Sequence, residues 1–506
     1  MKNFLLISAL FLSTFSWAQT LNNTTLARQD FKNTSNNTVT VTTYEKNGLT
    51  YVYAGGDGAH IDVYQLDKEG LLNPISQHKL SNDRGPARGL VADHINGTDF
   101  LFVGNKGGNA VEVYKILENG ALERTFILND TDETFLGVVI TLQVIHMKDA
   151  SYLFVGGLEK YPGLSSFKIQ EDGKLTHVQS IKDDDSIHTD GIIGMFTHKL
   201  EGKTFLYTGG FQDNGISSFR IYEDGTFKFI NSISDNETNR YLTGTYPVTG
   251  VELGGNYYVI VGHRHHKYYK RGASFIKNPD FVYHGDGVTV FKINNKGALV
   301  PHFTLVDDEH TKLAGQTRIE VLSVNNNEAI VAVATRDDQS IQLCKLDQSG
   351  TLTALSYLET GFPIYYGMGA AKIDNELFFI AGAVNSAVKK LVSYKVNTQR
   401  TSKTGKVLRH IVNLTYKEDA TTAEIEKAVN LFANLKNEIS AIAGLEWGKN
   451  DSTEGHSKGF THCFTLTFND EHSREIYLFH PAHLALVKKV GPILADVMVM
   501  DYWVKE

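Results

Sequence analysis

One phrase recurs along most of this chain and restricts its fold more than any other feature. It is an aromatic-rich run ending in small residues, a short turn, a second alternating run, a glycine turn and a third run. Residues 205–210 (FLYTGG) lead to 215–221 (GISSFRI), then Asp224-Gly225 and 227–230 (FKFI). Residues 152–157 (YLFVGG) lead to 164–169 (LSSFKI), then Asp172-Gly173 and 175–178 (LTHV). The turn glycine returns at Gly70, Gly120, Gly173, Gly225, Gly297 and Gly350, at intervals of 50, 53, 52, 72 and 53 residues, and a last partial copy runs over 377–396. Repetition at a fixed period of about 20–50 residues marks a solenoid, propeller or array.

The phrase chooses among these. Val63, Phe167, Phe219 and Phe291 alternate with polar or small neighbours, the period of a half-buried strand. The glycine supplies the positive φ of a hairpin turn. A fourth run precedes each unit, as at 250–253 (GVEL) and 318–322 (RIEVL). Four strands per unit, repeated six or seven times, predict an all-β propeller of about seven blades over residues 38–397. An open β-solenoid usually has shorter repeats. Residues 38–42 (TVTVT) are expected to close the ring by pairing with the last blade. The repeat phrase resembles the seven-bladed lactonase-like propellers, and also propeller repeats of large secreted repeat-in-toxin proteins. That resemblance implies a fold and, more distantly, a sugar-lactone activity at the propeller mouth. The Ser-Pro-Asp-Gly turn common in the lactonase group is absent, and no catalytic residue transfers with it.

The N-terminus reads as a removable signal over residues 1–18, followed by a segment at 19–37. Lys2 gives a positive start, 4–15 is an apolar run, and Ser16-Trp17-Ala18 offers small residues for cleavage before Gln19. The run is shorter than the roughly 20 residues of a membrane span and lacks amphipathic spacing. No later stretch is long and apolar enough to span a bilayer. The chain is therefore expected to be exported, with the periplasm favoured over the outside. A net charge of −8 argues against nucleic acid. The two cysteines, Cys344 and Cys463, make no disulfide framework and are expected as buried thiols.

Three features collect where the blade-to-blade loops and the second-to-third-strand turns share one mouth of a propeller. Asp130, Asp132, Asp183, Asp184, Asp185, Asp235, Asp307 and Asp308 make the interblade loops acidic. Such loops are either ordinary solvated turns or oxygen donors for a divalent cation, Ca²⁺ or Mg²⁺. No other cofactor is expected. Arg84, Arg88, Arg240 and Arg318, with His188, can bind an anionic sugar or pair with those aspartates. The 72-residue interval holds an insertion beginning at Gly262. There His263, His265, His266, Tyr268, Tyr269 and Tyr283, among lysines and arginines, suit an acidic polysaccharide or form a solvated basic hairpin.

After a polar linker at 398–406 the pattern changes. Residues 408–416 alternate, with His410, Val412, Leu414 and Tyr416 on one face. Thr421 or Thr422 caps a helix whose stripe is Ile425, Ala428, Val429, Phe432 and Leu435. Short strands at 443–447 and 460–468, a helix over about 473–494 interrupted near Pro481, and a strand at 497–503 complete a β-α-β-β-α-β order. This is an α+β ferredoxin-like domain at 407–506.

The motifs Arg409-His-Ile-Val412, Glu446-Trp-Gly448, Gly459-Phe-Thr-His462 and His480-Pro-Ala-His483 closely resemble the stress-responsive A/B barrel family. The resemblance implies a homodimeric barrel. A plant polyketide cyclase of that family uses a Tyr and a His as its acid–base pair. These match Tyr477 and His483, with His410 and His462 matching further histidines at the cavity. Core histidines held by hydrogen bonds are the competing account. For the whole chain the favoured expectation is a secreted carbohydrate-binding or polysaccharide-accessory protein. The alternative is an enzyme, either a lactonase at the propeller mouth or a proton-transfer catalyst in the barrel.

Overall fold

The computed structural model describes residues 25–504 except 35–36, 82–84, 159–162, 185, 236–239, 265–285, 326, 375, 385–389, 398–406, 440–441, 470–472, 475–476 and 479–480. The chain divides into two units, Met1–Thr398 and Gln399–Glu506. Among the described residues of the first unit, the strands form seven four-stranded antiparallel blades, at 38–79, 87–129, 141–182, 192–234, 245–306, 316–359 and 364–397. The innermost strands neighbour one another in sequence order, and the last, Ile364–Ile373, neighbours the first, Thr38–Lys46, so the ring is closed.

Blade 7 has only three strands of its own. Its fourth is Thr25–Asn33, which pairs antiparallel with Lys390–Asn397 from Thr25–Asn397 to Asn33–Lys390. Closure therefore comes from the segment before residue 38. Residues 38–42, expected to do this, instead begin the inner strand of blade 1 and meet blade 7 through one parallel bridge, Thr40–Tyr366. Asp30 ties the closing strand to blade 1 as well, accepting the Leu72 N–H at 2.9 Å.

The core lies between blades. Phe102 and Val113 of blade 2 meet Leu153 and Phe167 of blade 3, all fully buried. The repeat phrase also has a packing reason. A Cβ on Gly120 would stand 2.2 Å from the ring of Tyr51 in the preceding blade. The same relation joins Gly173 to Phe100, Gly225 to Tyr152, Gly297 to Phe205 and Gly350 to Tyr258. Each of these five turn glycines thus provides a positive φ and a flat bed for its neighbour's aromatic ring.

The second unit is β-α-β-β-α-β, with sheet order Gly444–Lys449, His462–Phe468, Leu408–Tyr416, Leu494–Trp503. Thr421 caps the helix Thr422–Glu438 in a reciprocal box with Glu424, and Ala428, Val429, Phe432 and Leu435 are its buried stripe. The second helix, Pro481–Val490, stops short of the expected 494, because Gly491-Pro492 turns the chain in a single 3₁₀ turn. The last strand accordingly starts at Leu494. Cys344 is a buried thiol, whereas Cys463 is only half-buried because it lies on the sheet face away from the helices. No described helix is long and apolar enough to cross a membrane.

Candidate functional site

Strand alternation in the second unit puts His410, Val412, Leu414 and Tyr416 on the face that packs toward the helices. The pairings His410–Leu466 and Leu414–His462 put His462, Phe464, Leu466 and Phe468 on the same face. The His410 Nδ1 lies 2.7 Å from Asp501 Oδ1 on the neighbouring strand, and Arg474 donates from Nη1 to Asp501 Oδ2 at 2.9 Å. Tyr477, 1% exposed, meets His410 edge-on with ring centroids 5.4 Å apart. Its ring is 4.3 Å from that of His483.

His483 donates from Nδ1 to the Leu478 carbonyl at 3.0 Å. That bond assigns the neutral ring's proton to Nδ1 and leaves Nε2 a lone-pair acceptor. Burial lowers the His483 pKa, the Leu478 bond works against this, and nearby His410 adds to the lowering. Burial raises the phenol of Tyr477. One group is thus kept neutral and basic beside another kept protonated, the division of labour an acid–base pair needs.

Three of the four expected barrel residues come together in this way, and His462 does not. It lies four residues along the strand direction from His410, about 13 Å at 3.3 Å per residue. There it packs edge-on against Tyr416 at 5.1 Å and bonds Thr461 Oγ1 through Nδ1 at 2.9 Å. Burial, then Lys449, lowers its pKa. Asp501 and Arg474 were missed by sequence reasoning. The available signal was a lone acid in the apolar final run VMVMDYW.

At the propeller mouth the inner strands carry bulges. Arg88 is the extra residue between the pairs Ala87–Asn105 and Gly89–Gly104, and Ile193 between Ile192–Gly210 and Gly194–Gly209. Tyr246 falls in the irregularity between Thr245 and Val248, and Tyr365 in that between Ile364 and Met368. Bulges re-aim side chains. These bring Tyr246, Ile193 and Tyr365 into one cluster with Ile140, Leu158 and Phe211. Arg264, just past the second strand of blade 5, reaches the same place. Its Cζ is 4.8 Å from the Tyr365 ring centre, its Nη1 bonds the Tyr365 hydroxyl, and the Arg88 Cζ lies 5.6 Å from the same ring. Arg88 Nη2 is also 3.8 Å from Asp57 Oδ1.

Among the described residues expected at the propeller mouth, Arg88 alone enters this cluster. Arg318 is held in its own strand by Glu320, Nη2 to Oε1 at 2.7 Å. His188 lies over blade 4, where a Cβ on Gly215 would stand 2.5 Å from its ring, and its N–H donates to Ser217 Oγ at 3.0 Å. His263, 1% exposed, faces the Thr243 carbonyl through Nδ1 at 3.3 Å and accepts the Gly287 N–H on Nε2 at 3.0 Å. Both ring nitrogens thereby face the backbone, with Asp286 Oδ1 3.9 Å from Nε2, so it is packed as a core histidine. His265, His266, Tyr268, Tyr269, Tyr283, Arg84 and Asp185 lie outside the described residues, as does the side chain of Arg240.

The acidic loops hold themselves together. Asp130 Oδ1 accepts the Leu136 N–H, Asp307 Oδ1 the Leu313 N–H, and Asp183 Oδ1 the Thr189 N–H. Among the described residues one group of carboxylates converges further: the donor atoms of Asp183, Asp190 and Asp213 lie within 4.8 Å of one another. Oxygen donors of this kind suit Ca²⁺ or Mg²⁺. Burial, then the charge of Asp183, raises the Asp213 pKa far above the usual carboxylate range.

Residues 408–504 match the Stress responsive A/B Barrel Domain family. The stress-response A/B barrel domain-containing protein HS1 of Arabidopsis thaliana is 32% identical over 95 residues, which are 19% of this chain and 87% of that protein. The chain belongs to the stress-responsive A/B barrel domain family. Olivetolic acid cyclase of Cannabis sativa is 27% identical over 95 residues, again 19% of this chain and 94% of that enzyme. A solved periplasmic gluconolactonase of Pseudomonas aeruginosa superposes with a TM-score of 0.48 at 15% identity, covering 64% of this chain and 86% of that one. The family match contains all of the A/B barrel site residues, from His410 to Asp501.

Proposed function

We propose that the A/B barrel domain is a proton-transfer catalyst acting on the carbon next to a carbonyl in a small ketone. The observation that carries this reading is the Nδ1–H bond of His483 to Leu478, which leaves Nε2 a lone-pair acceptor on a ring 4.3 Å from that of the buried Tyr477. His483 Nε2 takes the α-proton, the C–H electron pair moves into the enolate, and Tyr477 donates a hydrogen bond to the enolate oxygen. Return of the proton from His483 resets both groups. Asp501, with Arg474, positions His410 as the wall of Tyr477. Similarity to a cyclase supports the reading. The test is deuterium exchange at the methyl of an aryl methyl ketone, followed by NMR. The full chain should accelerate exchange, and His483→Gln should lower the rate by about 10²-fold or more. Exchange unaltered by His483→Gln and Tyr477→Phe would end this reading.

Two further proposals accompany it. The domain forms a homodimer through the strand Leu494–Trp503. Val497, Met498, Val499, Met500 and Tyr502 on that strand are 38–50% exposed, an apolar edge that a partner strand would cover. The propeller is a carbohydrate-binding module that works after export. Its N-terminal sequence supports export, and the arginine–tyrosine cluster at its mouth, which includes Arg264 from the start of the insertion, supports binding there.

A further inference from the structure

We infer that the end of the propeller opposite the mouth carries a second reactive centre, in which Ser151 is a nucleophile that takes the acyl group of a carboxylic ester. Three residues from two blades form an unbroken relay there. Ser151 Oγ lies 2.8 Å from His146 Nδ1, and His146 Nε2 lies 3.1 Å from both oxygens of Asp93. Inner strands run from the mouth to this end, so Asp93 and His146, at or near the ends of Ala87–Ile95 and Thr141–His146, arrive at the same level. Ser151 opens the next strand and faces His146 as its cross-strand partner, across a turn closed by the Met147 N–H on the Ala150 carbonyl.

The bonds fix the protons. A carboxylate only accepts, so Nε2 of the neutral ring carries the hydrogen and Nδ1 keeps a lone pair, to which the Ser151 hydroxyl donates. Asp93 is buried and also receives the His94 N–H on Oδ1 at 2.7 Å, so its position is set independently of the imidazole. The His146 side chain is 30% exposed and Ser151 is half-buried, which leaves the pair within reach of solvent. Two other histidines bond serines, His78 to Ser76 and His177 to Ser180. Among the described residues neither of those rings has a carboxylate on its other nitrogen. A hydroxyl, a base and an acid that orients the base, in that order, are what activate a serine.

The chemistry follows from these roles. Ser151 Oγ attacks the acyl carbon while its proton passes to His146 Nδ1. The bond from the acyl carbon to the ester oxygen breaks, and that oxygen leaves as the alcohol with the proton from Nδ1. Water then attacks the acyl-serine and gives a proton to Nδ1. The acid departs as Ser151 Oγ takes that proton back. Asp93 is a positioning residue: it holds the tautomer and faces the imidazolium formed in each half of the cycle. Met147 and Ala150, apolar residues of the turn that carries Ser151, suit a short acyl chain.

The experiment treats the full chain with a fluorophosphonate, which reports an activated serine whatever its substrate, and finds the labelled residue by peptide mass spectrometry. The label should fall on Ser151. His146→Gln should slow its labelling by about 10²-fold or more. Asp93→Asn, which no longer fixes the proton on Nε2, should slow it by at least ten-fold. Hydrolysis of p-nitrophenyl acetate should be largely lost in Ser151→Ala. Melting curves accompany each variant, because a tie that only joins two blades would shift Tm without any such reactivity. Wild-type labelling and His146→Gln decide the question even where Asp93→Asn does not fold. A wild-type chain in which Ser151 labels no faster than other serines overturns the proposal. So does labelling indifferent to His146→Gln, or ester hydrolysis unaltered in Ser151→Ala.

Discussion

His410 and Asp501 face each other as a cross-strand pair, and their side chains meet at 2.7 Å between Nδ1 and Oδ1. The same carboxylate receives Arg474, so one acid fixes two cations or donors at the edge of the Tyr477 site. Because the imidazole is 4% exposed, its loss of a partner is expensive: an unsatisfied buried donor costs about 1–3 kcal/mol. Asp501→Ala should therefore lower stability by that amount and reduce kcat for proton exchange by about ten-fold, with KM little changed. Asp501→Asn keeps an acceptor for Nδ1 and should restore most of the stability but not the rate. Melting curves and a kcat–KM comparison on the two variants separate positioning from simple structural support.

Gly297 and Phe205 define a second relation open to test. Gly297 has φ of +80°, and an added Cβ would lie 2.0 Å from the Phe205 ring. Gly48 has a similar φ of +75° but faces open space. Gly48→Ala should thus cost only the backbone penalty, about 1 kcal/mol. Gly297→Ala must also displace an aromatic ring between blades and should cost about 3 kcal/mol. Urea denaturation of both variants measures the difference. Equal losses would mean the interblade contact is soft.

That pair also shows what a sequence can reveal about such a fold. The repeating glycine is visible because the same local demand, a hairpin turn beneath a neighbouring ring, is met in each of blades 2 to 6. The capping box of Thr421 and Glu424 and the alternation of His410, Val412 and Leu414 are equally local. The mouth cluster is different. Tyr246, Arg264, Arg88 and Tyr365 come together only because the ring closes, and the bulges that re-aim Tyr246, Arg88 and Tyr365 have no fixed sequence signature. His263 misled for the converse reason. A histidine in a cationic run suggests a ligand site, but its two nitrogens face the backbone of Thr243 and Gly287. Closure by Thr25–Asn33 was hidden because its partner strand lies at the far end of the propeller sequence.

Met500 is 50% exposed on an edge strand whose neighbours Val497, Val499 and Tyr502 are similarly open. A strand edge this apolar attracts a second strand unless a charge blocks it. Met500→Glu places two like charges close together across a twofold contact. The variant should be monomeric by light scattering at concentrations where the wild-type chain is dimeric. A wild-type chain that is monomeric throughout, or a dimer indifferent to Met500→Glu and Val499→Lys, would remove the proposed interface.

His198 sets an acid limit on the propeller. Its ring lies 4.2 Å from that of Tyr257 and stacks near Phe196, and among the described residues its Nε2 has no hydrogen-bond partner. Burial pushes its pKa down to about 4. Above its ordinary value near 6.5 the ring is neutral in both folded and unfolded chains, and the stability it permits is fully present. As pH falls from about 6.5 toward 4, the unfolded chain gains a proton that the folded chain refuses, so stability declines over that window. Partial solvation keeps the total loss to about 1–2 kcal/mol. His198→Phe preserves the aromatic packing and removes the proton site. It should flatten the fall in Tm between pH 6.5 and 4 while leaving Tm at pH 8 nearly unaltered. An unchanged slope would assign the acid limb to other groups, and a loss at pH 8 would mean that the imidazole has a polar partner the aromatic ring cannot replace.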